Sequence, residues 1–259
     1  MTGAVVKAIS SRDNPLLVRL RKLAADPGGY RKLGEVLLEG DHLCSALLQR
    51  GGVPAMALIG ESGWQLPKLR VLAERAPQVV VLPDALMAGV GTLDSPAPIA
   101  FVLAWPGGGT LQADAPSVVL DRLQDAGNVG AVLRSAAAFG FTQVVALKGT
   151  AALWSPKVLR AGMGAHFGLR LVEGVEAEAL DGLAVPLLGT SSHATQAIHE
   201  SRLPWPCAWV LGHEGQGVSV ALASRCALSL RIPQPGGEES LNVAAAAAVC
   251  LYESARQRL

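Results

Sequence analysis

The feature that most constrains this chain is a rhythm of short apolar runs in its second half. SVVLD (117–121), TQVVAL (142–147), VPLLGT (185–190), CAWVLG (207–212) and ALSLRI (227–232) are nearly continuous in apolar residues, and several are β-branched. Helical stretches lie between most of them. A strand that is apolar on both faces has to be covered on both faces, and intervening helices are what cover it. The pattern therefore predicts an α/β domain with a parallel sheet. A closing helix is expected from Ser240 to Arg258, because VAAAAAVCLYE is the strongest helix former in the chain.

The first half repeats the alternation on a smaller scale. A helix is predicted over Asn14–Ala25, with Asn14 as cap, Pro15 at the first turn and Leu16, Leu17, Leu20 and Leu23 as its apolar stripe. A strand (35–39), a helix (41–50) stopped by Gly51 and Gly52, and strands near 55–59, 79–82 and 99–103 follow, with helical segments near 66–75 and 84–90. Residues 104–116, AWPGGGTLQADAP, have few packing groups and read as a linker. The expected organisation is a small α/β domain over 1–106 and a larger one over 115–259.

Charge and cysteines narrow the functional classes. The chain has 259 residues, 22 Lys+Arg and 21 Asp+Glu, a formal net charge of +1. Bulk electrostatic coating of nucleic acid is excluded by that balance. The charge is uneven, however. Residues 1–34 hold seven cations and two anions, residues 35–114 hold four and eight, and the remainder holds eleven of each. Cys44, Cys207, Cys226 and Cys250 form no C-x-x-C pair, and the five histidines have no metal-ligand spacing. The cysteines read as reduced thiols of a cytoplasmic protein, and no metal is expected. The uncharged stretch 95–113 is broken by Pro96, Pro98, Pro106 and three glycines, so no membrane span is expected, and no secretory signal is read at the N-terminus.

In an open parallel sheet, ligands bind beyond the carboxyl ends of the strands. After 117–121 comes DRLQDAGNVGAVLRSAAAFGF, where Gly127, Asn128 and Gly130 open a helix and Arg134 follows. Free N–H groups and an arginine suit an anion; an ordinary loop cap beside a surface arginine fits the same spacing. After 207–212 comes Gly212-His213-Glu214-Gly215-Gln216-Gly217, a tight turn with a carboxylate inside it. It either builds a pocket or simply joins a strand to a helix. After 227–232, a rigid Pro-Gly loop leads to Ser240, Leu241 and Asn242 at a helix start, where Ser and Asn are also favoured caps. Thr190 ends a further strand. Taken together, the loops can assemble one pocket. No Ser-His-Asp triad, GxGxxG or Walker lysine is visible.

The segments NVGAVLRSAAAFGF, LGHEGQGVS and IPQPGGEESLNVAAAAAVCLYE, in this order, resemble the three motifs of the SpoU (TrmH-type) RNA ribose 2′-O-methyltransferases. ISSRDNPLLVRLRKL with EVLLEGDHL is similar to the substrate-binding domain, like ribosomal protein L30e, that precedes the catalytic domain in many members. The resemblance implies a catalytic domain with a C-terminal trefoil knot, S-adenosylmethionine as cofactor and a homodimer. It implies that Thr190, Gly212, Ile232 and Leu241 line the cofactor pocket. Asn128, Arg134, Glu214, Ser240 and Asn242 fall at the family's catalytic positions. Arg134 is then either general base or phosphate clamp. The implied partner is RNA, with ribosomal RNA preferred over transfer RNA. Arg12, Arg19, Arg21, Lys22, Arg31 and Lys32 would grip its phosphates, against the alternative of a solvated helix face. One departure is Ala244, where many members carry serine. Competing readings are a non-catalytic RNA-binding protein on the same scaffold and a Rossmann-type nucleotide enzyme; the missing GxGxxG and the basic start disfavour the latter.

Overall fold

The computed structural model describes residues 4–93, 95–236 and 241–259. In chain order its elements are β1 (Val5–Ala8), α1 (Pro15–Ala25), α2 (Gly29–Leu33), β2 (Glu35–Glu39), α3 (Asp41–Gln49), β3 (Met56–Gly60), α4 (Glu61–Trp64), α5 (Pro67–Ala73), β4 (Gln78–Leu82), α6 (Asp84–Ala88) and β5 (Ile99–Ala104). There follow β6 (Ser117–Asp121), α7 (Ala126–Ala138), β7 (Gln143–Leu147), α8 (Pro156–Gly162), β8 (Arg170–Val175), β9 (Leu187–Thr190), β10 (Ala208–Gly212), α9 (Val220–Ala223), β11 (Leu228–Leu230) and α10 (Val243–Arg256). They divide into two compact units. One is Met1–Gly107 with Trp154–Phe167; the other is Gly108–Leu153 with Gly168–Leu259.

The first unit is built on a five-stranded sheet in the order β1-β4-β3-β5-β2. β1, β4 and β3 run parallel, whereas β5 is antiparallel to both β3 and β2. Its core includes Leu38, Leu58, Ile59, Leu82, Ile99 and Phe101, all buried. α1 begins where the sequence indicates: Asn14 Oδ1 accepts from the Leu16 N–H at 3.0 Å, and Pro15 occupies the first turn. Leu17, Leu20 and Leu23 bury its apolar face.

The sequence predicts one domain over 115–259, whereas residues 154–167 belong to the first unit. The reason is packing. Ser155 caps α8, whose Val158 and Leu159 are buried, and the helix packs against β2. Arg160 Nη1 donates to Thr92 Oγ1 at 3.1 Å and lies 3.9 Å from Glu39 Oε1. Burial raises the Glu39 carboxyl above the usual range, against the opposing Thr92 N–H and the Arg160 charge.

The second unit carries a six-stranded sheet, β11-β9-β10-β6-β7-β8, parallel throughout. β6 and β7 are buried at every residue, as continuous apolar runs require. One face packs Val119, Val145, Val172, Ala208 and Val210 with Leu180 and the α9 residue Leu222. On the other, α7 packs on β7 and α10 on α7 and β10. There Trp209 is fully buried and its Nε1 donates to Ser254 Oγ at 2.9 Å. All strand C-termini therefore point the same way, and the loops after β6, β9, β10 and β11 share one end of the sheet.

Candidate active site

The loop after β6 is fixed from within. Asp125 caps α7, its Oδ1 accepting from the Asn128 N–H at 2.7 Å. The loop after β10 closes on itself. Gly217 donates its N–H to the His213 carbonyl at 2.8 Å, and Gly215 donates to His213 Nδ1 at 3.0 Å. Gly217 takes a φ of 68°, which a side chain would strain. Gly212 is required for a different reason. A Cβ there would stand 2.1 Å from both the Gly217 carbonyl carbon and the Val218 nitrogen.

Three loops meet through one chain of hydrogen bonds. Glu214 reaches across to the loop after β6. Its Oε2 accepts from the Gln124 N–H at 3.2 Å, and its Oε1 from the Asp125 N–H at 3.0 Å and from Asn128 Nδ2 at 3.2 Å. Asn128 Oδ1 then accepts from Asn242 Nδ2 at 3.0 Å. Asn242 caps α10, its Oδ1 accepting from the Ala244 and Ala245 N–H groups at 2.9 and 3.3 Å. Because each amide donates on one side and accepts on the other, its orientation is set by the network. Desolvation works to raise the Glu214 carboxyl, but the N–H groups of its own loop, Asp125 and Gln124 and the Asn128 amide outweigh it, so the carboxyl titrates below its ordinary range.

A second link runs in the opposite direction. Asp121, 2% exposed, ends β6; its Oδ2 accepts from the Ser219 N–H at 2.7 Å and its Oδ1 from Arg122 Nε at 2.9 Å. Arg122 Nη1 donates to Gln216 Oε1 at 3.3 Å. Burial would raise the Asp121 carboxyl, yet Arg122 and Ser219 bring it below the usual value. Arg122 takes a φ of 62°. That left-handed conformation costs a non-glycine residue about 1–2 kcal/mol.

Beside these loops lie two cavities that share Thr190, Ser191 and Ser192. One of about 160 Å³ is completed by Ile232, Gln234, Leu241 and Ala246. The other, of about 560 Å³, also takes in Gly215, Gln216, Gly217 and Cys226. Cavities of about 300–1,000 Å³ hold small ligands and cofactors. The lining mixes hydroxyls with apolar groups, and the buried Gln234 Oε1 has no hydrogen-bond partner among the described residues. The donor set fits a nucleoside-type cofactor with polar and apolar parts.

The structure therefore brings Asn128, Glu214 and Asn242 together and sets Thr190, Ile232 and Leu241 in a cavity wall. Gly212 shapes the adjoining loop by close backbone approach. Arg134 stands exposed on α7, with no polar partner among the described residues. Ser240 lies outside the described residues. The basic set is divided. Arg19 pairs with Glu35 at 3.3 Å, Lys32 pairs with Asp26 at 3.2 Å, and Arg31 lies over the Tyr30 ring. Arg21 donates to the Arg12 carbonyl, and Arg12 and Lys22 are exposed. Sequence reasoning passed over Asp121, Arg122, Asp125, Gln216 and Ser219. The available signal was a carboxylate closing the apolar strand SVVLD, since a charge at a buried strand end needs partners.

The fold is that of RNA methyltransferases. The crystal structure of an RNA 2′-O ribose methyltransferase, 31% identical, superposes with a TM-score of 0.81 over 97% of this chain and 99% of that one. The SpoU methyltransferase AviRb from Streptomyces viridochromogenes, solved with AdoMet, is 26% identical with a TM-score of 0.81, over 95% of this chain and 99% of that one. The 23S rRNA (guanosine(2553)-2′-O)-methyltransferase RlmP of Bacillus subtilis is 31% identical over 224 residues, 85% of this chain and 88% of that protein. The model of the SpoU rRNA Methylase family matches residues 115–252, more than half of the chain. The chain belongs to the SpoU rRNA methylase family.

Proposed function

We propose that this protein methylates a ribose 2′-hydroxyl in RNA, that the RNA is ribosomal, and that the cofactor is S-adenosylmethionine. The observation that carries the reading is the Glu214–Asn128–Asn242 chain, which ties three strand-end loops together beside the cavities. Family membership, the ribosomal RNA named for the B. subtilis relative and the AdoMet in the AviRb complex support it.

Thr190, Ile232 and Leu241 would hold the cofactor, with Gly212 keeping the loop after β10 close. S-adenosylmethionine supplies an electrophilic methyl group carried on a sulfonium. The chain's tasks are then to hold the hydroxyl on one axis for in-line transfer and to let its proton leave, by way of the substrate phosphate that Arg134 would hold, to solvent. Asn128 and Asn242, oriented by Glu214, present amide groups to the hydroxyl, and Ser240 completes that set. Arg134 acts as a clamp on a substrate phosphate. Its planar fork of donors matches a phosphate, and its side chain stands exposed on α7.

The same reading makes the first unit an L30e-like RNA-binding domain, with Arg12, Arg21 and Lys22, which pair with no carboxylate among the described residues, as its phosphate contacts. It makes the second unit a knotted domain. The knot rests on family membership. A homodimer would cover Val249 and Tyr252, which stand exposed on α10. The four cysteines are unpaired, which suits a reducing cytoplasm.

Arg134→Ala tests the assignment. The variant is expected to fold and bind S-adenosylmethionine by calorimetry while losing methyl transfer to ribosomal RNA. Turnover near wild type would overturn the clamp. Ribose-methylation maps of total RNA that do not change when the protein is removed would overturn the substrate class.

A further inference from the structure

We infer that Asp121 and Arg122 form a positioning pair that sets the loop His213–Ser219, and through it Glu214, for methyl transfer. This rests on the reading of Glu214 as a site residue. Two independent observations carry it.

The first is connectivity. Asp121 leaves β6 buried, and one of its oxygens takes the Ser219 N–H. The other takes Arg122 Nε, and Arg122 Nη1 goes on to the Gln216 side chain. The loop is thus held at its exit and near its tip. Glu214 lies between those points and the end of β10, and its carboxylate reaches back to Gln124, Asp125 and Asn128. Each loop grips the other, so a shift of the loop backbone at Gln216 or Ser219 also displaces Glu214 from its partners.

The second observation is backbone conformation. A φ of 62° favours glycine or asparagine, yet position 122 holds arginine. Strain of this kind persists where the side chain is needed. The contacts found for this side chain lead to Asp121 and to the loop after β10. Gly149 leaves room for its stem, since a Cβ there would stand 3.2 Å from Arg122 Cγ.

Arg122→Gly separates the roles, because it removes both contacts and relieves the backbone. The expected result is an unchanged or raised Tm and an unchanged KM for RNA. kcat should fall roughly tenfold to a hundredfold, the scale of a small misplacement. Arg122→Gly/Gln216→Ala should fall no further than Arg122→Gly alone. Arg122→Asn, which also tolerates the left-handed region, gives the same readout if the glycine variant folds poorly. Wild-type kcat in the folded variant, alongside Glu214→Gln that has lost transfer, overturns the pair and leaves the site standing. Full transfer by Glu214→Gln overturns the site reading itself. A lowered Tm with additive losses in the double variant marks a structural brace and also overturns the proposal.

Discussion

Gly212→Ala is the sharpest test of how the site is built. Gly212 pairs with Asp121 at the last rung between β10 and β6. An added Cβ would stand 2.1 Å from Gly217 C and Val218 N and 2.4 Å from Gly217 O, all backbone atoms. Ordinary contact begins at 3.4 Å, so the loop has to withdraw by about 1.3 Å. The Glu214 bonds start at 3.0 to 3.2 Å. They leave hydrogen-bond range after a few tenths of an ångström, since about 3.6 Å is already too long. The carboxylate therefore releases Gln124, Asp125 and Asn128 together. The rungs of β10 before Gly212 lie clear of the clash, so the sheet survives. A displacement of about 1 Å costs about a hundredfold in rate, or roughly 2.7 kcal/mol. The assay is transfer of labelled methyl to ribosomal RNA, with Tm measured on the same samples. The expected outcome is a kcat/KM reduced at least about a hundredfold, with a lowered Tm and the cooperative unfolding of the sheet retained. A variant within about threefold of wild type would show that the loop yields without disturbing Glu214. An unfolded variant would show that the damage is not local. Either result would refute the reasoning.

Other outcomes follow from the same geometry. Asn242→Ala should lose the α10 cap, about 1 kcal/mol, together with methyl transfer, whereas Asn242→Asp should restore the cap and not the donor to Asn128; thermal melts and transfer assays on both variants separate the two effects. Replacing Arg12, Arg21 and Lys22 by glutamine should make the slope of log K against log salt shallower by about 2 for single-stranded RNA; filter binding across salt concentrations checks it, and an unchanged slope returns these residues to a solvated face. Glu214 and Asp121 both have depressed folded values, so their bonds stabilise the protein fully above the ordinary carboxylate range and are lost as pH falls through those lower values. Wild-type Tm should thus drop more steeply in acid than that of Glu214→Gln, and parallel curves would contradict the assignment.

Much of the sheet was legible because its central strands are buried on both sides and therefore continuous in apolar residues. β6 matches SVVLD to the residue. β8 was missed because Arg170 and Glu173 interrupt that pattern in RLVEGV. β1 escaped notice because it is a short edge strand exposed along its length. β5 stands where the sequence predicts a strand, but its antiparallel direction is invisible to hydropathy, which reports burial and not direction. In the candidate site, strand ends and helix starts mark the loops that hold Asn128, Glu214 and Asn242, but it is the resemblance to the family motifs that singles out these residues. The Arg122–Gln216 contact spans 94 residues, and no local pattern announces such a partner. Nor does composition reveal which cations are already matched, as Arg19 and Lys32 are.

The placement of Trp154–Phe167 bears on how this protein can be divided, in the laboratory or by gene rearrangement. The chain enters the first unit, leaves it at Gly107, and comes back for fourteen residues before finishing the second. No single cut releases both units whole. A fragment ending at residue 107 lacks one of its own helices. A fragment starting at residue 108 carries Val158 and Leu159 on an α8 parted from β2, the strand it packs on. The two units are therefore not cassettes to be exchanged one for one. A replacement first unit would have to accept α8, so the pair is constrained to change together.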